Sequence, residues 1–158
     1  MVSSALADRS YRPSPNGFSL APAAEQLYAA FATIPANPHV AHCPHCVSPD
    51  DLAGLAAPVH QLSPELMSRF VRKLGTTWGE TDDVRRVTPR LLTLAADHRL
   101  SVSRALLWQQ FRAASWTTWP DREVDAMGRF LLAEFTRLLR VPPRPAHVAH
   151  RWLAQVSN

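Results

Sequence analysis

The chain has 158 residues, 46 % hydrophobic and 19 % charged, enough to bury one core without staples and too apolar for wholesale disorder. Its formal charge is +4 with a pI near 9.8, nearly all of it arginine, since Lys73 is the only lysine. A surplus this small, spread along the chain, does not imply nucleic acid by itself. Arginine in place of lysine fits phosphate recognition or a GC-rich coding sequence, and the many Ala and Pro residues weight the second.

Residues 1–20 are polar, carry Pro13, Pro15 and Gly17, and read as an extended arm; residues 21–158 are expected to form one helical domain. No run approaches the roughly 18 apolar residues needed to span a bilayer. Met1–Arg9 lacks a basic start and a long apolar segment, so neither a signal peptide nor a membrane partner is expected, and the expected compartment is the cytoplasm.

The first helix should open near Pro22 and bury Leu27, Ala30 and Phe31, spaced i, i+3, i+4. Ile34-Pro35-Ala36-Asn37-Pro38 stops it. Ser48-Pro49-Asp50-Asp51 is a helix start: the serine caps, proline suits the first turn, and the acids meet the positive end of the dipole. That short helix breaks near Pro58. Ser63-Pro64-Glu65 repeats the signal ahead of an apolar stripe of Leu66, Phe70, Val71 and Leu74, with Gly75 as terminator and Thr77-Trp78-Gly79 as a turn with an aromatic anchor.

Thr81-Asp82-Asp83 starts the next helix, with Val84, Val87, Leu91, Leu92 and Ala95 inward; Pro89 should kink it or open a new segment. From about Ser103, Leu106, Leu107, Gln110, Phe111 and Ala114 give another helix. Pro120-Asp121-Arg122-Glu123 opens the longest, whose expected inner stripe is Val124, Met127, Leu131, Phe135, Leu138 and Leu139, with Glu123, Asp125 and Glu134 outside. Val141-Pro142-Pro143-Arg144-Pro145 ends it, and a last short helix through Val148, Trp152 and Leu153 packs back. No alternating pattern of useful length appears. The fold class is therefore all-α, a compact bundle or irregular stack of about six or seven helices with no significant sheet.

Both cysteines and three of the seven histidines fall in His39-Val40-Ala41-His42-Cys43-Pro44-His45-Cys46, on a proline-punctuated loop. Zinc takes tetrahedral thiolate and imidazole ligands, and a two-residue spacer lets both sulfurs reach one ion. Cys43 and Cys46 supply half such a site, and His42, His39, His60, His45 or Asp50 would have to complete it. The same spacing serves thiol redox chemistry in a cytosolic protein. His147-Val148-Ala149-His150 repeats the histidine pair of His39 and His42 without a neighbouring thiol or acid and reads as solvent-facing.

Cys43-Pro44-His45-Cys46 is identical to the active-site tetrapeptide of periplasmic disulfide oxidases of the thioredoxin superfamily, and Val87-Thr88-Pro89-Arg90 faintly resembles the segment that carries their cis-proline. That resemblance implies a nucleophilic first thiol. The strand such proteins place before the motif is replaced here by Ala36-Asn37-Pro38-His39, and the Val84–Ala95 spacing is helical, so the likeness covers four residues. Over much of residues 25–140 the chain resembles a group of uncharacterised, mostly actinobacterial all-helical proteins, through Leu27-Tyr28-Ala29-Ala30-Phe31, Cys43-Pro44-His45-Cys46, Thr77-Trp78-Gly79 and Pro89-Arg90-Leu91-Leu92. This second likeness implies an all-helical fold and no particular chemistry.

Arg69, Arg72, Lys73, Arg85, Arg86 and Arg90 form a basic region that would suit nucleic-acid phosphates, but Glu80, Asp82 and Asp83 sit among them and ion pairs are expected instead. The five tryptophans are expected to fill the core. No nucleophile elbow, glycine-rich phosphate loop or His-Glu-x-x-His pair occurs. Three functions follow from the sequence: a helical domain that binds another protein and carries a structural zinc at the cysteine loop; a thiol-disulfide oxidoreductase using Cys43 and Cys46; or an arginine-rich nucleic-acid binder. Whether it is an enzyme is left open by the residues.

Overall fold

The structure, a computed structural model, describes residues 20–140. Residues 1–19 of the arm expected over 1–20, the Val141–Pro145 stop, His147, His150 and the helix through Trp152 lie outside the described residues.

Among the described residues six α-helices follow one another: α1 (Leu20–Phe31), α2 (Pro49–Leu55), α3 (Pro64–Lys73), α4 (Thr81–Ala96), α5 (Arg104–Ala113) and α6 (Asp121–Leu139). Single 3-10 turns lie at Val59–Gln61 and Trp116–Thr118. Among the described residues there is no sheet, only isolated bridges joining His42 and Leu74 to Trp78. α1 packs along α6 and against α4, and α3 packs on α5.

The helix starts obey their local chemistry. Ser48, Ser63 and Ser103 each turn a side-chain oxygen back onto the backbone N–H three residues on, at 3.1 Å in every case, satisfying a donor that the helix leaves orphaned. α4 begins with a reciprocal cap: the Glu80 side chain accepts from the backbone of Asp83, whose carboxylate accepts from the Glu80 N–H at 2.9 Å. Gly75, at φ +71°, closes α3, and the N–H groups of Thr76, Thr77 and Trp78 all return to the Lys73 carbonyl.

Of the two alternatives at Pro89, a kink or a new segment, the second does not occur: α4 runs through Pro89 as one element. Around it Thr88 and Thr93 donate their hydroxyls to the carbonyls of Val84 and Pro89.

The buried face of α6 keeps the first half of the expected stripe, with Met127 buried and Val124 and Leu131 packed against the core, but not its second half. Glu123, Ala126, Met127, Phe130 and Glu134 are inside, while Phe135, Leu138, Leu139 and Leu132 are exposed. The reason is charge compensation from neighbouring helices. Arg85 of α4 grips Glu123 at 3.1 and 2.9 Å, and Arg104 of α5 meets Glu134 at 2.6 Å, so two carboxylates enter the core as paired ions.

Arginines also hold helix ends together. Arg86 is buried and donates to the carbonyls of Leu55 and Ala57, both at 2.7 Å, where α2 stops. Arg90 donates to Leu62, and Arg137 to Ala96 at the end of α4. These carbonyls have no helical partner, and a planar cationic fork satisfies several at once.

Candidate functional site

The loop between α1 and α2 is pinned at four points. The Asn37 amide donates to Asp83 at 3.2 Å; Gly79 N–H donates to Ala41 at 2.7 Å; Cys43 N–H donates to Thr77 at 2.8 Å; and the Lys73 ammonium donates to the Cys46 carbonyl. The middle two form a short antiparallel pairing of residues 41–43 with 77–79, centred on His42 and Trp78.

That pairing rests on Trp78, 1 % exposed and set edge-on to Phe70 with ring centres 5.1 Å apart. Gly79 adopts φ +77°, and a β-carbon there would lie 2.8 Å from the Phe70 ring, so only glycine permits this approach. The Trp78 indole N–H is buried with no acceptor among the described residues.

At the tip, Cys46 and Val47 return their N–H groups to the Cys43 carbonyl at 3.0 and 3.1 Å, making a tight turn in which Pro44 presets the backbone. The turn aims donors at one sulfur. Backbone N–H of His45 hydrogen-bonds to the Cys43 thiol, the Cys46 thiol donates to it, and the backbone N–H of Cys46 adds a smaller contribution. Together these hold Cys43 below the ordinary thiol value, because each stabilises the thiolate. The Cys46 thiol is raised, chiefly because it donates to Cys43. Both are free thiols, Cys43 half-buried and Cys46 exposed.

The sequence-predicted ligands are not all gathered there. His42 lies beside Cys43 but turns Nδ1 to the Val40 carbonyl at 2.8 Å. His39 is exposed, its N–H closing a turn on the Asn37 side chain. His60 sits on the Val59–Gln61 turn beside the Gln61 amide. Among the described residues no three histidines, cysteines or acids are grouped to hold a metal ion.

Cys43 and His42 open onto a cleft of about 850 Å³ whose other walls come from the Leu74–Val84 stretch and from Gln110, Ala113 and Ala114 of α5. Sequence reasoning missed this cleft, because it is assembled from the α1–α2 loop, the α3–α4 turn and the end of α5, which are far apart in the chain. The one local sign is Thr77-Trp78-Gly79, a turn as expected, whose backbone also pairs with the cysteine loop.

The basic region is mostly occupied by internal bonds. Arg69 pairs with Asp51 at 2.6 Å, Arg72 reaches Ser101, Arg85 holds Asp82 and Glu123, and Arg86 and Arg90 bind carbonyls. No helix among the described residues is long and apolar enough to cross a membrane. Trp78 and Trp119 are buried, and Trp108 and Trp116 pack against the core. Compared with known proteins, the chain matches no family model, no curated protein and no solved structure.

Proposed function

We propose that this helical domain carries out thiol-disulfide exchange, with Cys43 as the attacking thiol and Cys46 as the resolving one. The support for this reading is the tight turn that returns the Cys46 and Val47 N–H groups to the Cys43 carbonyl beside an open cleft, with the His45 N–H and then the Cys46 thiol holding Cys43 below the ordinary thiol value. Such donors stabilise a thiolate before any partner arrives, which favours it both as nucleophile and as leaving group.

The reaction closes without another cofactor. The Cys43 thiolate attacks one sulfur of a partner disulfide, forming a mixed disulfide, and the other partner sulfur leaves with the bonding electrons and takes a proton from water. Cys46 loses its proton to water and attacks the Cys43 sulfur. The Cys43–Cys46 disulfide forms and the second partner thiolate departs, so the partner gains two electrons and the protein loses two. A small dithiol reductant returns the pair to its starting state. The cytoplasmic placement expected from the sequence suits a pair kept reduced by cellular thiols.

A structural zinc is less well supported, since two thiols fill half a tetrahedral set, His42 turns Nδ1 to the Val40 carbonyl, and no three candidate ligands are grouped among the described residues. Nucleic-acid binding loses support because the arginines of the basic region are bonded within the fold.

The test is insulin reduction driven by a dithiol. The wild-type protein is expected to accelerate it, Cys43→Ser to do nothing, and Cys46→Ser to accumulate a mixed disulfide on Cys43. A Cys43→Ser protein as active as wild type would remove the proposal.

A further inference from the structure

The charged groups that line the cleft beside Cys43 are unbalanced. Glu80, Asp82 and Asp83 contribute to its wall, His42 stands beside the thiol, and no lysine or arginine lines it. The nearest cations are already engaged. Arg85 is divided between Asp82 at 2.9 Å and Glu123 at 2.9 Å, and Lys73 is bonded to the Cys46 carbonyl. Asp83 is buried in the α4 cap and held by Asn37, so its charge is fixed in place; Glu80, which caps α4, and Asp82, which shares Arg85 with Glu123, are exposed, so these carboxylates outnumber the one guanidinium that reaches them.

The overall charge of the chain is +4, so the cleft is of opposite sign to the molecule that surrounds it. A groove lined by one sign concentrates partners of the other sign and repels its own.

We infer that the Cys43 cleft selects disulfides that carry positive charge beside the reacting sulfur, such as a disulfide-linked cysteine flanked by lysine or arginine. This rests on the exchange reaction proposed above and adds the class of partner. Its volume, about 850 Å³, admits several residues of an extended peptide as readily as a small aminothiol. During attack the cationic groups of the partner approach Glu80 and Asp82 while its sulfur meets Cys43, so the preference appears in the rate of mixed-disulfide formation.

The experiment uses the reduced full chain and three small disulfides of matched length: cystamine, bis(2-hydroxyethyl) disulfide and 3,3′-dithiodipropionate, carrying two positive, no and two negative charges. Each rate at Cys43 is divided by the rate of the same disulfide with free 2-mercaptoethanol, which removes differences in leaving group. The normalised rate is expected to fall from cystamine to dithiodipropionate by about fivefold or more at low salt, and the ratio to shrink as added salt screens the carboxylates. Glu80→Gln combined with Asp82→Asn is expected to lower the ratio toward one, with helix content unchanged.

A second arm replaces cystamine by the disulfide dimer of a Lys-Cys-Lys peptide; a larger normalised rate than cystamine would identify a peptide as the source of the charge. Equal normalised rates across the three small disulfides, with Cys43 still reacting, would overturn the selection and leave the exchange chemistry standing. No reaction at Cys43 with any of them would overturn the exchange reading itself.

Discussion

The two thiols differ in which of them receives the hydrogen bonds, and that difference has a definite sign. Cys46 donates to Cys43, so Cys43 titrates below an ordinary thiol and Cys46 above it. In Cys46→Ala the thiol donor is gone while the His45 N–H remains, so the alkylation profile of Cys43 is expected to move to higher pH. In Cys43→Ser the sulfur that accepts from Cys46 is lost, along with the repulsion between two thiolates, so Cys46 is expected to react at lower pH than in wild type. Iodoacetamide rates measured across pH check both, and unmoved profiles would show that the thiols do not sense each other.

Glycine gives a second residue-scale test. Gly75 and Gly79 both hold positive φ, but a β-carbon at Gly75 meets nothing within 4 Å, whereas at Gly79 it meets the buried Phe70 ring at 2.8 Å. Gly75→Ala is expected to cost about 1 kcal/mol from backbone strain alone. Gly79→Ala adds overpacking and should cost about 2–4 kcal/mol in chemical denaturation. Equal losses would contradict the close approach of residue 79 to Phe70.

Helix α6 shows what decides an element's orientation when its sequence allows more than one. Its apolar residues cover a wide arc, and the face that turns inward carries two carboxylates because Arg85 and Arg104 arrive from α4 and α5 to neutralise them. Glu123→Gln keeps the shape and removes the charge, leaving Arg85 with Asp82 alone. It is expected to destabilise the protein by about 2 kcal/mol, the scale of a hydrogen bond to a charged group, in urea or guanidinium unfolding. A neutral result would mean that the buried pair does not set the packing of α6.

Helix starts were legible in the sequence because caps are local: Ser48, Ser63 and Ser103 each announce themselves within four residues. The inner face of α6 was only partly legible, since period alone cannot say that an arginine 38 residues away will neutralise Glu123. The same limit applies to the site. Cys43 and Cys46 stood out at once, yet their partners Thr77, Gly79 and Lys73 belong to a turn whose pairing with the loop is a tertiary fact.

At the scale of the molecule, arginines close the ends of α2 and α4, and a tryptophan-centred pairing carries the cysteine turn to the rim of a cleft lined by Glu80, Asp82 and Asp83. Gly75 and Gly79 supply the two positive φ angles of the α3–α4 turn, which lets a helical scaffold hold a short extended segment without a sheet. The exchange chemistry proposed for Cys43 would thus sit where the α1–α2 and α3–α4 connections meet, on loops fixed by the helices beneath them.

The most direct measurement of this account is competitive alkylation of the freshly purified, reduced protein near neutral pH, with each thiol read by peptide mass spectrometry. Cys43 is expected to be labelled first and Cys46 to lag well behind it. Two thiols that resist labelling until a chelator is added would contradict the account and make the loop a metal clip; two that react alike, at the rate of an unstructured peptide thiol, would contradict it equally by showing that the turn does not activate Cys43.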